Sequence, residues 1–513
     1  MAKVKRSRVN RRPTKRTSVT SRSAAAAAAT ILAWDDDPGA PGEVPARAPA
    51  VRPVPSLKGT LAASIKGKAP AAGQYALKTP QFRYWTAADA LARGIAFWSR
   101  ILPAGTRWFT GATLPVTLDA GDDLNAYYDR RGLNFFHRQV RGETLFSGES
   151  ADVLCHELGH AVLDAIKPEL WNTATAEAAA FHESFGDMSA ILSNLQLESV
   201  RREALTETGG RLYQSSRLSR LAEQLGWGIR QAMPDQADPD CLRNAVNRFF
   251  YRDPNTLPPS APASSLSSEP HSFSRVFTGA FFEGLAGLLS STADQAELLA
   301  ASETAAKMLV SGILASPIVP DYFSQVAAHV VTAAAGTPAR DSFRAAFVRH
   351  GVLSLQAAVA LDGGTASGPR RARGMSSRLT ADAVSLEGHA VMTAPRQALS
   401  GASVRQLSVP GGRFGLTGSL QIQAPADVKR YAVASAALDL GSVPPASVET
   451  SVTGFLEDLF RRGRVEIGST AATQNAIRHP FARRTHELVE KSAELRLERR
   501  CFDCGFDHSS FGA

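Results

Sequence analysis

The sequence predicts an α+β chain in which a mixed α/β segment is followed by a mainly helical one, with a further region appended beyond it. Three observations predict this. The run at residues 114 to 118 alternates as a strand does; beyond residue 153, to about 355, helix-forming runs dominate; and His156-Glu157-Leu158-Gly159-His160 sits at the junction, inside a helical run of its own. With 513 residues and 44% hydrophobic content the chain can bury large cores, and two to four domains are expected.

Residues 1 to 23 hold nine Lys or Arg and no acid, so this tail alone accounts for the formal charge of +9. The near-neutral remainder carries no sign of nucleic-acid binding, whereas the tail could contact an anionic surface. Residues 24 to 34 form a short, Ala-rich apolar stretch, too short to span a bilayer and weak as a signal segment, and Arg11-Arg12 is followed by Pro and Thr. No signal peptide and no membrane span are expected; a soluble protein, cytoplasmic or exported by a non-standard route, fits equally. Residues 35 to 58, rich in Pro, Ala and Asp, read as a linker. Residues 1 to 58 are therefore expected to be a disordered arm and linker, dispensable for chemistry. The folded domain is placed at 59 to 355, with a mixed lobe at 59 to 155 and a helical lobe at 156 to 355.

Val153, Leu154, Leu158, Ala161, Val162, Ala165 and Ile166 carry the helical period through the central motif, and Lys167-Pro168 ends it. Two histidines at i and i+4 share one helix face and can bind one Zn²⁺ through their imidazoles, with Glu157 beside the open coordination position. A third ligand must come from elsewhere. Glu183 is preferred over Glu169 and Glu177, because Asp187 follows it by one turn on a second helix former and can accept the far ring N–H of a liganding histidine. Together these residues read as a metal-assisted hydrolase site. Leu163 and Ile166 stand where a metzincin would need Gly and His, which excludes that class.

These segments resemble the gluzincins, thermolysin-like metallopeptidases in particular, over about residues 80 to 353. The resemblance implies a two-lobed peptidase fold with the motif helix bridging the cleft, one catalytic zinc, and a peptide or protein substrate. It implies that Asn125, Ala126 and Tyr127 bind substrate as an added strand. Arg243, in Cys241-Leu242-Arg243-Asn244, would contact substrate carbonyls. His271, in Glu269-Pro270-His271, would stabilise the oxyanion. Phe146, Val153 and Leu242 match pocket-lining positions, so a hydrophobic residue is expected after the scissile bond. The segment ending at Val352 looks like the family's last helix.

The chain also departs from that pattern. The connection from His160 to Glu183 is longer than in thermolysin itself. Trp171 falls where the family usually has a catalytic tyrosine, and its indole N–H can donate but lacks a phenol's acidity. His182 stands where Asn is usual. The carboxylate that orients the oxyanion histidine is not at its usual offset, leaving Glu269 as the candidate. Of the calcium ligands Asp152 remains, but Asn194 stands where an acid would be expected, so zinc without calcium is predicted. The likeness starts near residue 80, with no room ahead for an inhibitory propeptide domain, so activity is restrained in another way or exerted away from the producing cell.

Residues 356 to 378 read as a linker and 379 to 513 as an appended region of unknown function, with strands over 404 to 423 and helices over 448 to 462 and 485 to 500. Cys155 and Cys241 read as buried. Cys501 and Cys504, with His508 nearby, fit a disulfide, a partial metal site or two free thiols, and no metal is expected there. Two functions remain: a zinc endopeptidase, or a zinc-retaining binding or scaffold protein that has lost proteolysis, as Trp171 and the absent propeptide would allow. The intact Glu157 favours the first.

Overall fold

A computed structural model describes residues 30–39, 44–51, 61–361, 404–428, 430–435, 446–469, 471–473, 476, 483–492 and 494–504. The basic tail at 1 to 23, most of the expected linker before residue 379, and His508 lie outside the described residues. The architecture is mixed α+β.

The first long helix, Pro80–Ile101, starts where Thr79 accepts from the Phe82 amide and Pro80 occupies the first turn. It buries Phe82, Trp85, Leu91 and Trp98. Beside it runs a five-stranded sheet. Its strands lie in the order Phe502–Asp503, Ala126–Tyr128, Leu133–Phe135, Thr113–Thr117, Ala62–Ile65. The first two junctions are antiparallel and the last two parallel.

Two helices cross at the centre. The motif helix, Ala151–Ile166, is capped by Ser150, whose hydroxyl accepts from Val153 N; the ligand helix, Ala176–Asn194, is capped in the same way by Thr175. Both are buried almost all round, as core helices are. Glycine lets them approach. A Cβ on Gly159 would stand 2.7 Å from Ser189 Cβ, and one on Gly186 would stand 2.6 Å from Cε1 of His156. The helix Pro270–Ala286 packs against the ligand helix, and beyond it Tyr322–Ala333 and Ala339–Arg349 close an aromatic core of Phe181, Phe277, Phe323 and Phe347.

Several expectations need correction. Residues 30–39 and 44–51 are not a disordered arm: strands Thr30–Ala33 and Ala46–Pro49 pair antiparallel, and Ile31, Trp34, Asp36 and Asp37 are buried. Asp37 accepts from Ser150 Oγ (2.5 Å) and from the amide of Gln224 (2.8 Å), so it braces the N-terminus of the motif helix. Residues 355 to 361 are a short helix, Leu355–Leu361, and not linker. Among the described residues one helix, Gln295–Ala315, is long and apolar enough to cross a membrane by length and composition, where no such stretch was expected; 56% of its most apolar stretch is buried against the rest of the chain.

In the appended region the expected strands form as Val404–Pro410 and Ser419–Pro425, and the first expected helix as Val448–Arg461. The second does not. His486–Lys491 and Glu494–Arg499 make an antiparallel hairpin, because Leu495 and Leu497 alternate inward with period 2. These strands join a second five-stranded sheet whose apolar face, Leu420, Ile422, Leu495 and Leu497 with Val452 and Leu456, also covers Ala174 and Ala179 at the start of the ligand helix.

Candidate metal centre

The i, i+4 spacing sets the rings of His156 and His160 beside each other, 4.8 Å between centroids. From the crossing helix Glu183 brings Oε2 to 3.4 Å from His156 Nε2 and 3.8 Å from His160 Nε2. All three atoms are buried without a hydrogen-bond partner. Ligands held about 2.0–2.1 Å from a tetrahedral zinc stand about 3.4 Å apart, so the donor set and its spacing fit that ion. Glu183 Oε2 also has His271 Nε2 at 3.2 Å; without a cation, the two buried ring nitrogens would each carry a desolvation cost of about 1–3 kcal/mol.

The surroundings fix these ligands. His156 Nδ1 lies 3.0 Å from Asp187 Oδ1, and Arg243 grips the same carboxylate from Nη2 (2.7 Å) and Nε (3.1 Å). Burial works against the charge of Asp187, but the guanidinium and His156 overcome it and hold its pKa below the ordinary carboxylate range. Burial and the neighbouring cations keep His160 far down the scale and so neutral, the form that binds metal. Glu157 is fully buried, and burial raises its pKa to about 8. Burial opposes charge on His271 as well, but Glu183 and Glu269 raise it to about 9. Glu269 orients this ring, Oε1 lying 2.8 Å from Nδ1.

The competing acids for the third ligand are elsewhere. Glu177 accepts from Tyr251 Oη (2.6 Å) and from the Phe323 amide (2.7 Å), and Glu169 is exposed.

The other expected site residues divide. Val153 and Leu242 line a small cavity with Leu221, Leu225, His156 and Arg243. Arg243 is buried on Asp187, and two of its nitrogens, Nε and Nη2, position His156 through that carboxylate. Phe146 is outside the cavity. Strand alternation turns its ring under the Arg83 guanidinium, 3.5 Å from the centroid, and sends the neighbouring Leu145 inward. Trp171 is not aimed at the centre either; its indole N–H donates to Arg499 O (3.2 Å). Asn125 is buried with Oδ1 unpartnered.

Along Ala126 and Tyr127, the edge expected to take an extended substrate, lies the chain's own C-terminal strand. Cys504 N donates to Ala126 O (2.9 Å), Asp503 O lies 2.7 Å from His271 Nε2, Phe502 stacks on His182 (4.0 Å between centroids) and on His160 (5.0 Å), and Cys504 Sγ donates to Glu157 Oε1 at 3.0 Å. Cys501 and Cys504 are not disulfide-bonded. Nothing in the sequence beyond a bare C-x-x-C signalled this.

A second group was also missed. Asp37, Asp152 and Glu223 bring carboxylate oxygens within 4.8 Å of one another, all buried, with Asn194 Nδ2 donating to Asp152 (2.6 Å) and to Asp36 (3.0 Å). Both oxygens of Glu223 lack a hydrogen-bond partner, and burial beside these acids raises its pKa to about 11. The expectation of zinc without calcium weighed Asp152 and Asn194 alone; these oxygens form a donor set suited to a hard cation.

No family model matches the sequence, and no curated protein matches it. Among solved structures the chain is similar to the precursor of protealysin, a metalloproteinase from Serratia proteamaculans, at 16% identity over 55% of this chain and 81% of that one, with a TM-score of 0.36. The function is therefore read from the chemistry of the site alone.

Proposed function

We propose that the chain is a zinc-dependent endopeptidase of the thermolysin-like kind, with a two-lobed catalytic region and with His156, His160 and Glu183 as metal ligands. The observation that carries this reading is the convergence of three buried donor atoms, flanked by a buried carboxylate, on a strand edge that already accommodates extended peptide. A zinc ion there supplies Lewis-acid polarisation of a carbonyl and a lowered pKa for a coordinated water.

The chain's own groups do the rest. Glu157, buried beside the two histidines, takes the proton from the attacking water and returns it to the departing amine. His271, charged and oriented by Glu269, donates to the carbonyl oxygen as it becomes negative, an effect of about 10²–10³ in rate. Asp187 accepts the Nδ1–H of His156 and so turns Nε2 toward Glu183, while Arg243 keeps Asp187 ionised. The main chain of 126 to 128 aligns substrate by β-pairing. The cavity of Val153, Leu221, Leu225 and Leu242 favours an apolar side chain after the scissile bond by about 1.5–3 kcal/mol.

The test is a library of unstructured peptides incubated with the full chain loaded with one equivalent of zinc. Cleavage is expected before hydrophobic residues, abolished by a chelator. Glu157→Gln should keep the metal and lose about 10²–10⁴ in rate. Unchanged hydrolysis by this variant would remove Glu157 from the mechanism.

A further inference from the structure

Residues 502 to 504 meet the centre at every point where a substrate would. The strand Phe502–Asp503 pairs antiparallel with the edge at Ala126–Tyr128, Phe502 opposite Tyr128 and Asp503 opposite Tyr127. The Asp503 carbonyl takes the hydrogen bond of His271, the group assigned to a substrate carbonyl. Cys504 enters the apolar cavity beside Val153, Leu242 and His156. Its thiol bonds Glu157, where a nucleophilic water would have to stand.

The segment is held by a folded base. Arg499 donates from its amide to Asn172 Oδ1 (2.9 Å) and from Nε to Trp171 O (2.9 Å), and the Trp171 indole returns a bond to Arg499 O. Arg483 pairs with Asp123, at the approach to the substrate edge, and Arg462 lies 3.7 Å from Glu269. These contacts fasten the second sheet to both flanks of the cleft and feed the terminal strand into it. Cys504 is 3% exposed and Phe502 is 2% exposed, so no peptide reaches the centre while the strand is seated.

We propose that the C-terminal region is a built-in inhibitor: its strand occupies the substrate edge in a substrate-like orientation, and Cys504 serves as a thiolate ligand to the metal, displacing the water. On ligation the S–H proton passes to Glu157 Oε1, 3.0 Å away, so the base is protonated as the fourth position closes and no oxidant or reductant is involved. This rests on the peptidase reading, and it supplies the restraint that a propeptide would otherwise provide. Activation is then the departure or removal of the terminal strand.

The test uses the full chain, loaded with Co²⁺ for spectroscopy and with Zn²⁺ for turnover, as wild type, Cys504→Ser and Phe502→Ala/Cys504→Ser. Wild type should show a sulfur-to-cobalt charge-transfer band that both variants lack, and its Cys504 should resist alkylation until metal is stripped. A plug seated in about 99 of 100 molecules leaves about one in a hundred open, so the fully opened double variant should cleave a quenched peptide about 10²-fold faster than wild type. If the band is present and Cys504-dependent but no protein turns over, the inhibitor stands as a metal-bound plug and the peptidase reading fails. The inference is overturned if wild type has no such band, if wild type and double variant cleave at equal rates, or if intact-mass measurement shows that zinc-loaded wild type cuts its own Asp503–Cys504 bond.

Discussion

Gly186 is not a ligand, yet replacing it should damage the metal centre as surely as removing one. A Cβ there would stand 2.6 Å from Cε1 of His156 and 2.7 Å from both ring nitrogens, against an ordinary contact distance of about 3.5–4.0 Å. The ring must therefore move by about 1 Å. It has nowhere to go, since His156 is 4% exposed and tethered to Asp187 at 3.0 Å. Alanine in place of glycine in a helix interior would by itself stabilise by about 1 kcal/mol. Overpacking costs about 1–3 kcal/mol, and losing a hydrogen bond to a charged group about 1.5–3 kcal/mol. The unfavourable effects win by roughly 1.5–5 kcal/mol. Gly186→Ala should melt lower in calorimetry, and in zinc titrations of chelator-stripped protein it should bind about 10- to 100-fold more weakly, as when the partner of a liganding histidine is lost. Wild-type zinc affinity in Gly186→Ala would refute the packing argument and with it the placement of His156 at the metal.

Two further outcomes separate roles that the sequence left in competition. Glu183→Ala should release zinc while the fold survives, whereas Glu177→Ala, which leaves Tyr251 Oη and the Phe323 amide without their acceptor, should keep zinc and lower the melting temperature; metal analysis paired with calorimetry decides, and the reverse pattern moves the third ligand. The second acidic group predicts a pH effect of definite sign. Burial raises Asp37 from 3.8 to about 6 and Glu223 from 4.5 to about 11, and raises Asp152 well above its ordinary value, so the folded chain holds protons that the unfolded chain releases. Stability from these groups is complete below about pH 4 and is lost as pH rises through about 6 and onward. Calcium added to the zinc-loaded protein should restore melting temperature more at pH 8 than at pH 5; a melting temperature that rises across this range and ignores calcium would remove the cluster as a cation site.

The residues legible in the sequence are those whose meaning is local. His156, Glu157 and His160 lie within one helical turn and a half, and Glu183 with Asp187 within the next helix, so the 3.6-residue period alone puts each set on one face. The structure brings the two sets together. The illegible residues depend on partners far along the chain. Asp36 and Asp37 looked like linker composition because Ser150, Arg217 and Gln224, which justify burying them, come more than a hundred positions later. The hairpin at 486 to 499 was hidden by charged residues, which suit an exposed strand face as well as a helix, and only the alternation of Leu495 and Leu497 distinguishes the two.

The contact from Cys504 to Glu157 spans 347 positions, and two cysteines three apart carry no hint of where they will be delivered. Delivery follows instead from an open strand edge. Ala126–Tyr128 has one partner on its inner side, Leu133–Phe135, and its outer edge offers main-chain groups to whatever extended segment is nearest. A tethered segment meets such an edge at an effective concentration set by its tether, of order millimolar for short flexible links and higher for a docked base. Position along the chain does not enter. Restraint supplied in another way than by a preceding domain was one of two expectations left open by the sequence, and spatial order makes it workable: a strand that arrives after residue 500 can close the cleft as well as one that precedes residue 80, provided the sheet behind it is anchored, as Arg499 on Trp171 and Asn172 anchors this one.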